Sequence, residues 1–315
     1  MKRDMRNSPV FNIVVLVLLW AGATAPAWAD PLRDAQERFP AHHPPQRVVS
    51  LVPAATEMLV AVGAGAAVVG ITSHDTLPVN QGKKEIVGGF VAPSLEKIAA
   101  LHSDLILVSS LHGTVKKRFQ DQCAVVELPS VHSVEQALER LHDLGTLLGR
   151  GQEADGLAAG IRDELALIRA KVEPIPAAKR QRVMRLMGQA PLRTPGDDSF
   201  QNDFIRSAGG IPPRFGRNGE SIEVSPAEIV RFNPQAIYVC GDSAAETVLA
   251  NPALQKIEAV THKRVFSFPC ELTCRAGVNM GGFVSWLAAR VYEQEFSDPA
   301  HQAYPDQMLE ARPVA

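Results

Sequence analysis

The sequence predicts an α/β protein of two lobes, each with a parallel sheet, joined by one long α-helix. Short apolar, β-branched runs alternate with helical segments along most of the chain, a pattern typical of parallel sheets covered on both faces. The alternation stops at residues 152–171, where Leu157, Ile161, Leu165 and Ile168 recur at intervals of three or four, and then begins again. The length of 315 residues suffices for two domains of ordinary size.

The N-terminal lobe is expected at residues 30–150 and begins with a proline-rich lead, up to Gln46, that we expect to be loosely held. Its predicted elements, in chain order, are strand 47–52, helix 54–62, strand 67–71, helix 94–101, strand 105–108, strand 124–128 and helix 134–148. Thr56 is expected to cap the first of these helices.

The bridging helix is expected at residues 151–173, and Pro174 and Pro176 end it because proline cannot continue a helix. The C-terminal lobe, residues 174–296, repeats the alternation. Its predicted elements are strand 183–187, helix 200–208, helix 226–232, strand 236–239, strand 265–268 and a last helix through 286–292. Residues 297–315 contain scattered prolines and are expected to form a loose tail.

The first 29 residues are typical of a cleavable signal peptide. Three basic residues precede an apolar run at 10–22, and Ala27 and Ala29 are small residues suited to cleavage. The run is shorter than the about 18 apolar residues that span a bilayer. The cleavage point has no cysteine that could carry a lipid, so we expect no lipid anchor. Removal leaves 29 basic and 33 acidic residues, a net charge of −4. We therefore expect a soluble, monomeric, periplasmic protein that does not bind nucleic acid.

Several short motifs stand out along the two lobes. They are RVVSLVPAATE at 47–57, VGGF at 87–90, PSLEKI at 93–98 and DLI at 104–106, then SPAEI at 225–229 and NPQAI at 233–237. They resemble the periplasmic binding proteins of ABC importers for cobalamin, iron-siderophores and haem. The resemblance implies two Rossmann-like lobes bridged by one rigid helix, with little closure on binding. It also implies capture of a metal-chelate nutrient for a transmembrane permease, without a cofactor or resident metal.

The carboxyl ends of parallel strands border the crevice where ligands bind, which selects the loops after each strand. These loops contain the candidate ligand-binding residues His74, His112, Gln189, Asp242 and Arg275. Arg275 suits a carboxylate or phosphate of the ligand, although it is equally typical of a solvated surface charge. Each histidine is alternatively a hydrogen-bonded loop residue.

The resemblance adds two predictions. Phe90 matches an aromatic residue that stacks on the ligand in vitamin B12-binding relatives, which favours a corrinoid; the alternative is a core residue. Glu96 and Glu228 match glutamates that pair with permease arginines; the alternative is two acids stabilised at helix starts.

Cys240, Cys270 and Cys274 are expected to converge on one rim of the cleft. In an oxidising compartment they indicate a disulfide, either Cys270 with Cys274 or one of these with Cys240. Alternatively, a free thiolate, with His74 or His112 across the cleft, ligates the metal of the ligand. Cys123 is expected to be a lone buried thiol.

No catalytic motif is present: the chain has no GxSxG elbow, HExxH helix or P-loop. The leading hypothesis is therefore a binding protein and not an enzyme. Its rivals are a secreted redox or metal-dependent enzyme that uses the cysteines and cleft histidines, and a protein that captures a bare transition-metal ion.

Overall fold

The structure is a computed structural model, and it describes residues 31–40, 42–76, 82–188 and 190–293. The predicted signal peptide, Gln189 and the predicted tail lie outside the described residues. All described residues belong to one compact unit. Within these ranges no helix is both long enough and apolar enough to cross a bilayer.

Helices and strands alternate along the described chain. The strands are β1 (Val48–Ser50), β2 (Val68–Ile71), β3 (Glu85–Ile86), β4 (Leu105–Val108), β5 (Ala124–Glu127), β6 (Val183–Arg185), β7 (Arg193–Thr194), β8 (Ile222–Glu223), β9 (Ala236–Cys240) and β10 (Val265–Phe268). The helices are α1 (Pro31–Arg38), α2 (Pro53–Ala61), α3 (Leu95–Ala100), α4 (Gly113–Phe119), α5 (Val134–Leu147), α6 (Gly151–Val172), α7 (Phe200–Ser207), α8 (Pro226–Phe232), α9 (Asp242–Ala250), α10 (Glu258–Thr261), α11 (Cys270–Thr273) and α12 (Met280–Val291).

The first lobe contains a five-stranded sheet in the order β3-β2-β1-β4-β5, and every neighbouring pair is parallel. All residues of β1 and β4 are buried, because helices cover both faces of the sheet. Since the strands are parallel, the loops after β2, β3 and β4 emerge at the same edge.

The second lobe contains a three-stranded parallel sheet in the order β10-β9-β6. A separate antiparallel pair, β7 with β8, lies outside that sheet. The sequence did not indicate this pair, because strands of two residues are too short to show a period. The predicted class of two α/β lobes with parallel sheets is confirmed.

The predicted bridging segment is the 22-residue helix α6. Its buried residues, including Ile161 and Ile168, belong to an apolar cluster that also contains Leu144 of α5 and Phe283 of α12. Helix α6 therefore lies within a core that is continuous from the first lobe to the second. A close-packed core resists the large rotations that a flexible hinge permits.

Two local expectations are wrong. The lead before β1 is not loose throughout, because it forms helix α1, whose Leu32 and Ala35 lie on one face and are buried. Thr56 does not cap a helix, because α2 begins at Pro53, a residue suited to the first helical position. The hydroxyl of Thr56 instead donates to Ser50 Oγ, 2.8 Å away, inside the fold.

Candidate functional site

Three parallel strands of the first lobe bring His74, Phe90 and His112 together. The three residues follow β2, β3 and β4 at the shared carboxyl edge. The Phe90 ring packs edge-on against the His112 ring, with centroids 5.3 Å apart, and lies 6.5 Å from the His74 ring. The sequence predicted that all three residues border the ligand cleft, and the structure places them in one cluster.

His112 is buried, and both of its ring nitrogens are used within the protein. The main-chain N–H of Ser109 donates to Nδ1 at 2.9 Å. The proton must therefore lie on Nε2, which donates to the carbonyl of Phe90 at 2.6 Å. This arrangement makes His112 a support for the Phe90 loop.

His74 holds the other side of the same peptide segment. Its Nδ1 accepts the main-chain N–H of Phe90 at 3.2 Å, and the side chain is exposed. Gly88 allows the loop to turn: its φ is +126°, and a Cβ there would lie 3.0 Å from the carbonyl oxygen of Ala92. Both backbone polar groups of Phe90 are thus bound by histidines.

Exposed apolar residues flank this cluster. Val91 is 74% exposed and Leu111 is 59% exposed, while Phe90 is half-buried. Large exposed hydrophobic side chains that gather at one place are typical of a binding surface. We call Phe90, Val91 and Leu111 the apolar platform.

In the second lobe, Cys240 at the end of β9 and Cys270 at the start of α11 form a disulfide, with Cα atoms 4.9 Å apart. The free thiols among the described residues are Cys274, which is exposed, and Cys123, which is buried. Burial raises the pKa of the Cys123 thiol. Asp242, the first residue of α9, is exposed at the same strand end.

Arg275 reaches from the second lobe to the first. Its guanidinium forms an ion pair with Glu57 of α2, donates to the carbonyl of His74, and lies 3.2 Å from Thr76 Oγ1. The Arg275 and Glu57 side chains are only 13% and 11% exposed. Arg275 was predicted from the sequence but its partner was not, although Glu57 is the one charged residue in the segment 53–62.

The Glu57 carboxyl has a pKa raised from 4.5 to about 7. Burial is the main cause, and the negative charges of Asp75 and Glu271 act in the same direction. The positive charge of Arg275 lowers the pKa but does not offset the burial. The ion pair therefore joins the lobes at a carboxyl group that titrates near neutral pH.

Arg185, at the end of β6, is a second residue that the sequence analysis missed, and it is 1% exposed. It donates to the carbonyl of Leu186 at 3.1 Å, and its Nη2 lies 3.4 Å from both Thr273 Oγ1 and Cys274 Sγ. Its Nε has no hydrogen-bond partner, and the Tyr238 ring lies 5.4 Å away. The sequence signal was a lone charge in the apolar run 183–187.

Glu96 and Glu228 both lie in the first turn of a helix, but their surroundings differ. Glu96 is exposed and accepts the Ser94 hydroxyl at 3.0 Å. Glu228 accepts the main-chain N–H and hydroxyl of Ser225 and pairs with Arg217 at 2.6 Å. Hydrogen bonds within each helix start lower the pKa of both carboxyls, so both are anionic at neutral pH.

Other polar clusters lie away from the strand ends. A surface cavity of about 350 Å³ lies between α5 and α6, where His142 pairs with Asp155 at 2.6 Å. Within the described ranges, no group of three or more His, Cys, Asp or Glu side chains is arranged to hold a metal ion.

Residues 48–272 match the family model described as "Periplasmic binding protein". The chain belongs to this family. Among its relatives, an uncharacterized ABC transporter substrate-binding lipoprotein of Bacillus subtilis is 27% identical over 81% of this chain and 82% of its own. A vitamin B12-binding protein of Salmonella paratyphi A is 30% identical over 62% of this chain and 72% of its own.

The fold of this periplasmic binding protein is also that of solved structures. The apo periplasmic heme-binding protein of Roseiflexus sp. RS-1 superposes with a TM-score of 0.70 at 22% identity, covering 79% of this chain and 99% of its own. The predicted family is therefore confirmed, and the relatives named here are binding proteins.

Proposed function

We propose that this periplasmic binding protein captures a metal-chelate nutrient between its lobes and delivers it to the permease of an ABC importer. The ligand class is a corrinoid or another tetrapyrrole, with an iron-siderophore as the alternative. The observation that supports this proposal is the apolar platform, whose central ring is held in place through its own backbone. An aromatic ring flanked by exposed apolar side chains suits a large apolar ligand such as a tetrapyrrole.

The candidate residues have different roles in this proposal. Phe90 contacts the ligand directly, and His112 holds Phe90 in position through its main-chain carbonyl. His74 and Asp242 are exposed at the strand ends and supply polar contacts at the rim. Arg275 is engaged by Glu57, so an anionic group of the ligand would compete with that carboxyl. Gln189, also a candidate from the sequence, lies outside the described residues.

Delivery requires export and docking. The predicted signal peptide would place the mature chain in the periplasm, and the heme-binding protein of Roseiflexus sp. RS-1 is periplasmic by name. Glu96 and Glu228 supply one anionic group on each lobe for a two-fold permease. The continuous core around α6 keeps the distance between them constant.

The test is direct titration of the mature chain with aquocobalamin, ferric haem and a ferric tris-catechol siderophore. Isothermal calorimetry and absorption spectra are recorded for each, and the protein as purified is examined for colour. Binding of one of these chelates with micromolar or tighter affinity is the expected result. Binding of none of them would overturn the proposal, and tight binding of a bare transition-metal ion would then favour metal-ion capture.

A further inference from the structure

We propose that the Cys274 sulfur is a ligand to the metal of the captured chelate, and that the buried Arg185 guanidinium balances the charge of that sulfur. This inference rests on the proposed function and narrows its substrate class. The ligand must then be a metallated tetrapyrrole whose metal has an exchangeable axial position.

Arg185 carries its positive charge inside the second lobe. A buried guanidinium is costly unless a charged group compensates it. In the described part of the chain its hydrogen-bond partners are all uncharged: a carbonyl, a hydroxyl and a thiol. Its Nε is buried without any partner. The site therefore favours the arrival or formation of an anion beside the guanidinium.

The Cys274 thiol lies next to this guanidinium. Cys274 Sγ lies 3.4 Å from Arg185 Nη2 and is the ionisable group in direct contact with that nitrogen. Because Cys240 and Cys270 form the disulfide, Cys274 keeps a free thiol at this rim. Its main-chain N–H bonds to the carbonyl of Cys270 at 2.9 Å, which fixes it at the end of α11.

The position of Cys274 in the fold follows from the contacts of its neighbour in the chain. Arg275, the next residue, crosses to the first lobe and contacts the carbonyl of His74 and the hydroxyl of Thr76. Cys274 therefore lies at the boundary between the lobes, where the proposed ligand binds. Cys274 is exposed, so a ligand held there can approach this residue.

The chemistry of sulfur then selects the ligand class. When the Cys274 sulfur binds the metal, the exchangeable axial ligand leaves to solvent and the thiol proton also passes to solvent, so a thiolate forms beside Arg185. Iron or cobalt in a macrocycle with four nitrogen donors accepts a fifth ligand along its axis. A siderophore that surrounds iron with six oxygen donors offers no such position. The predicted cargo is therefore a haem or corrinoid with an exchangeable axial ligand.

The experiment compares the unaltered mature chain with Cys274→Ser, using Cys123→Ser as the matched control. The probes are ferric haem, aquocobalamin and metal-free protoporphyrin, followed by absorption and electron paramagnetic resonance spectra. For the metallated probe that binds, we expect Cys274→Ser to weaken affinity by ~10-fold or more and to remove the signature of sulfur ligation. Metal-free protoporphyrin should bind both proteins equally, and Cys123→Ser should behave as the unaltered chain.

Arg185 is tested as a positioning residue. Arg185→Met removes the charge and is expected to weaken the metallated probe by ~10–100-fold with a shifted spectrum. Arg185→Lys keeps the charge and should retain the sulfur signature. Circular dichroism checks that each variant is folded. An unchanged spectrum in Arg185→Met would overturn the role of this residue.

The outcomes separate this inference from the proposed function. Tight binding of a metallated tetrapyrrole with the same affinity and spectrum in Cys274→Ser would overturn the inference and leave the function standing. Binding of the ferric siderophore alone would do the same. Failure of every chelate to bind would overturn both.

Discussion

At the scale of single residues, the proposed site depends on how Phe90 is held. His74 binds its N–H and His112 its carbonyl, and the Phe90 ring also packs edge-on against the His112 ring. Such a ring is available to a ligand without local rearrangement, which lowers the entropic cost of binding.

We predict that Phe90→Ala weakens chelate binding by about 1–3 kcal/mol, because it removes aromatic contact area. Isothermal calorimetry measures this loss. Phe215→Ala is the control, since Phe215 is also half-buried but lies in the loop before β8. Equal affinity of Phe90→Ala and the unaltered protein would show that the ring only packs within the fold.

Glu57 predicts a specific pH dependence. Its pKa is about 7 in the fold, against 4.5 ordinarily, so the folded state binds the proton more tightly than the unfolded state. The contribution of Glu57 to stability is therefore full below pH 4.5 and is lost as the pH rises toward 7.

We expect Glu57→Gln to flatten the fall in unfolding temperature between pH 4.5 and 7, since the amide does not titrate. Thermal denaturation across that interval measures the effect. Carboxyl carbon NMR should give a Glu57 midpoint near 7. A midpoint near 4.5, with parallel temperature curves, would contradict the assignment.

At the scale of secondary-structure elements, the disulfide joins the carboxyl ends of β9 and β10. These strands are neighbours in the sheet, with Phe268 opposite Cys240, so the two thiols meet without distorting the register. The bond shapes the rim where the proposed sulfur ligand lies.

We predict that Cys240→Ser combined with Cys270→Ser lowers the free energy of unfolding by about 2–4 kcal/mol, because the bond closes a loop of 30 residues. Urea denaturation measures the loss. Cys123→Ser is the comparison, since this thiol closes no loop. Alkylation of the denatured chain without reductant should label Cys123 and Cys274 alone; labelling of all four cysteines would refute the pairing.

At the scale of the whole molecule, the two proposed docking acids lie on lobes that share one core. Glu228 already forms an ion pair with Arg217, whereas the side-chain contact described for Glu96 is the hydroxyl of Ser94. At the second lobe, a permease arginine would therefore share Glu228 with Arg217 or replace Arg217. At the first lobe, it would meet the Glu96 carboxylate without that competition.

We predict that Glu96→Ala combined with Glu228→Ala leaves chelate affinity unchanged but abolishes ATP-driven uptake in reconstituted membranes. Asp121→Ala with Glu246→Ala, which also removes one exposed acid from each lobe, should transport normally. Uptake at the unaltered rate in the first variant would show that these acids only stabilise helix starts.

Local pattern in the sequence determined the fold class, the bridging helix and the family. Alternating apolar runs and the spacing of Ile161 and Ile168 are short-range signals, so they can be read without knowing what packs against them. The rule that ligands bind at the carboxyl ends of parallel strands then indicated which loops border the cleft.

Only the tertiary structure decided which side chains meet there. Arg275 and Glu57 are 218 residues apart, and the disulfide partner of Cys270 depends on β9 lying beside β10. The roles of His112 and Arg185 follow from the groups around them: one has both nitrogens bound, and the other is a buried cation without a carboxylate partner in the described chain. Such pairings depend on long-range packing, which short-range periodicity does not record.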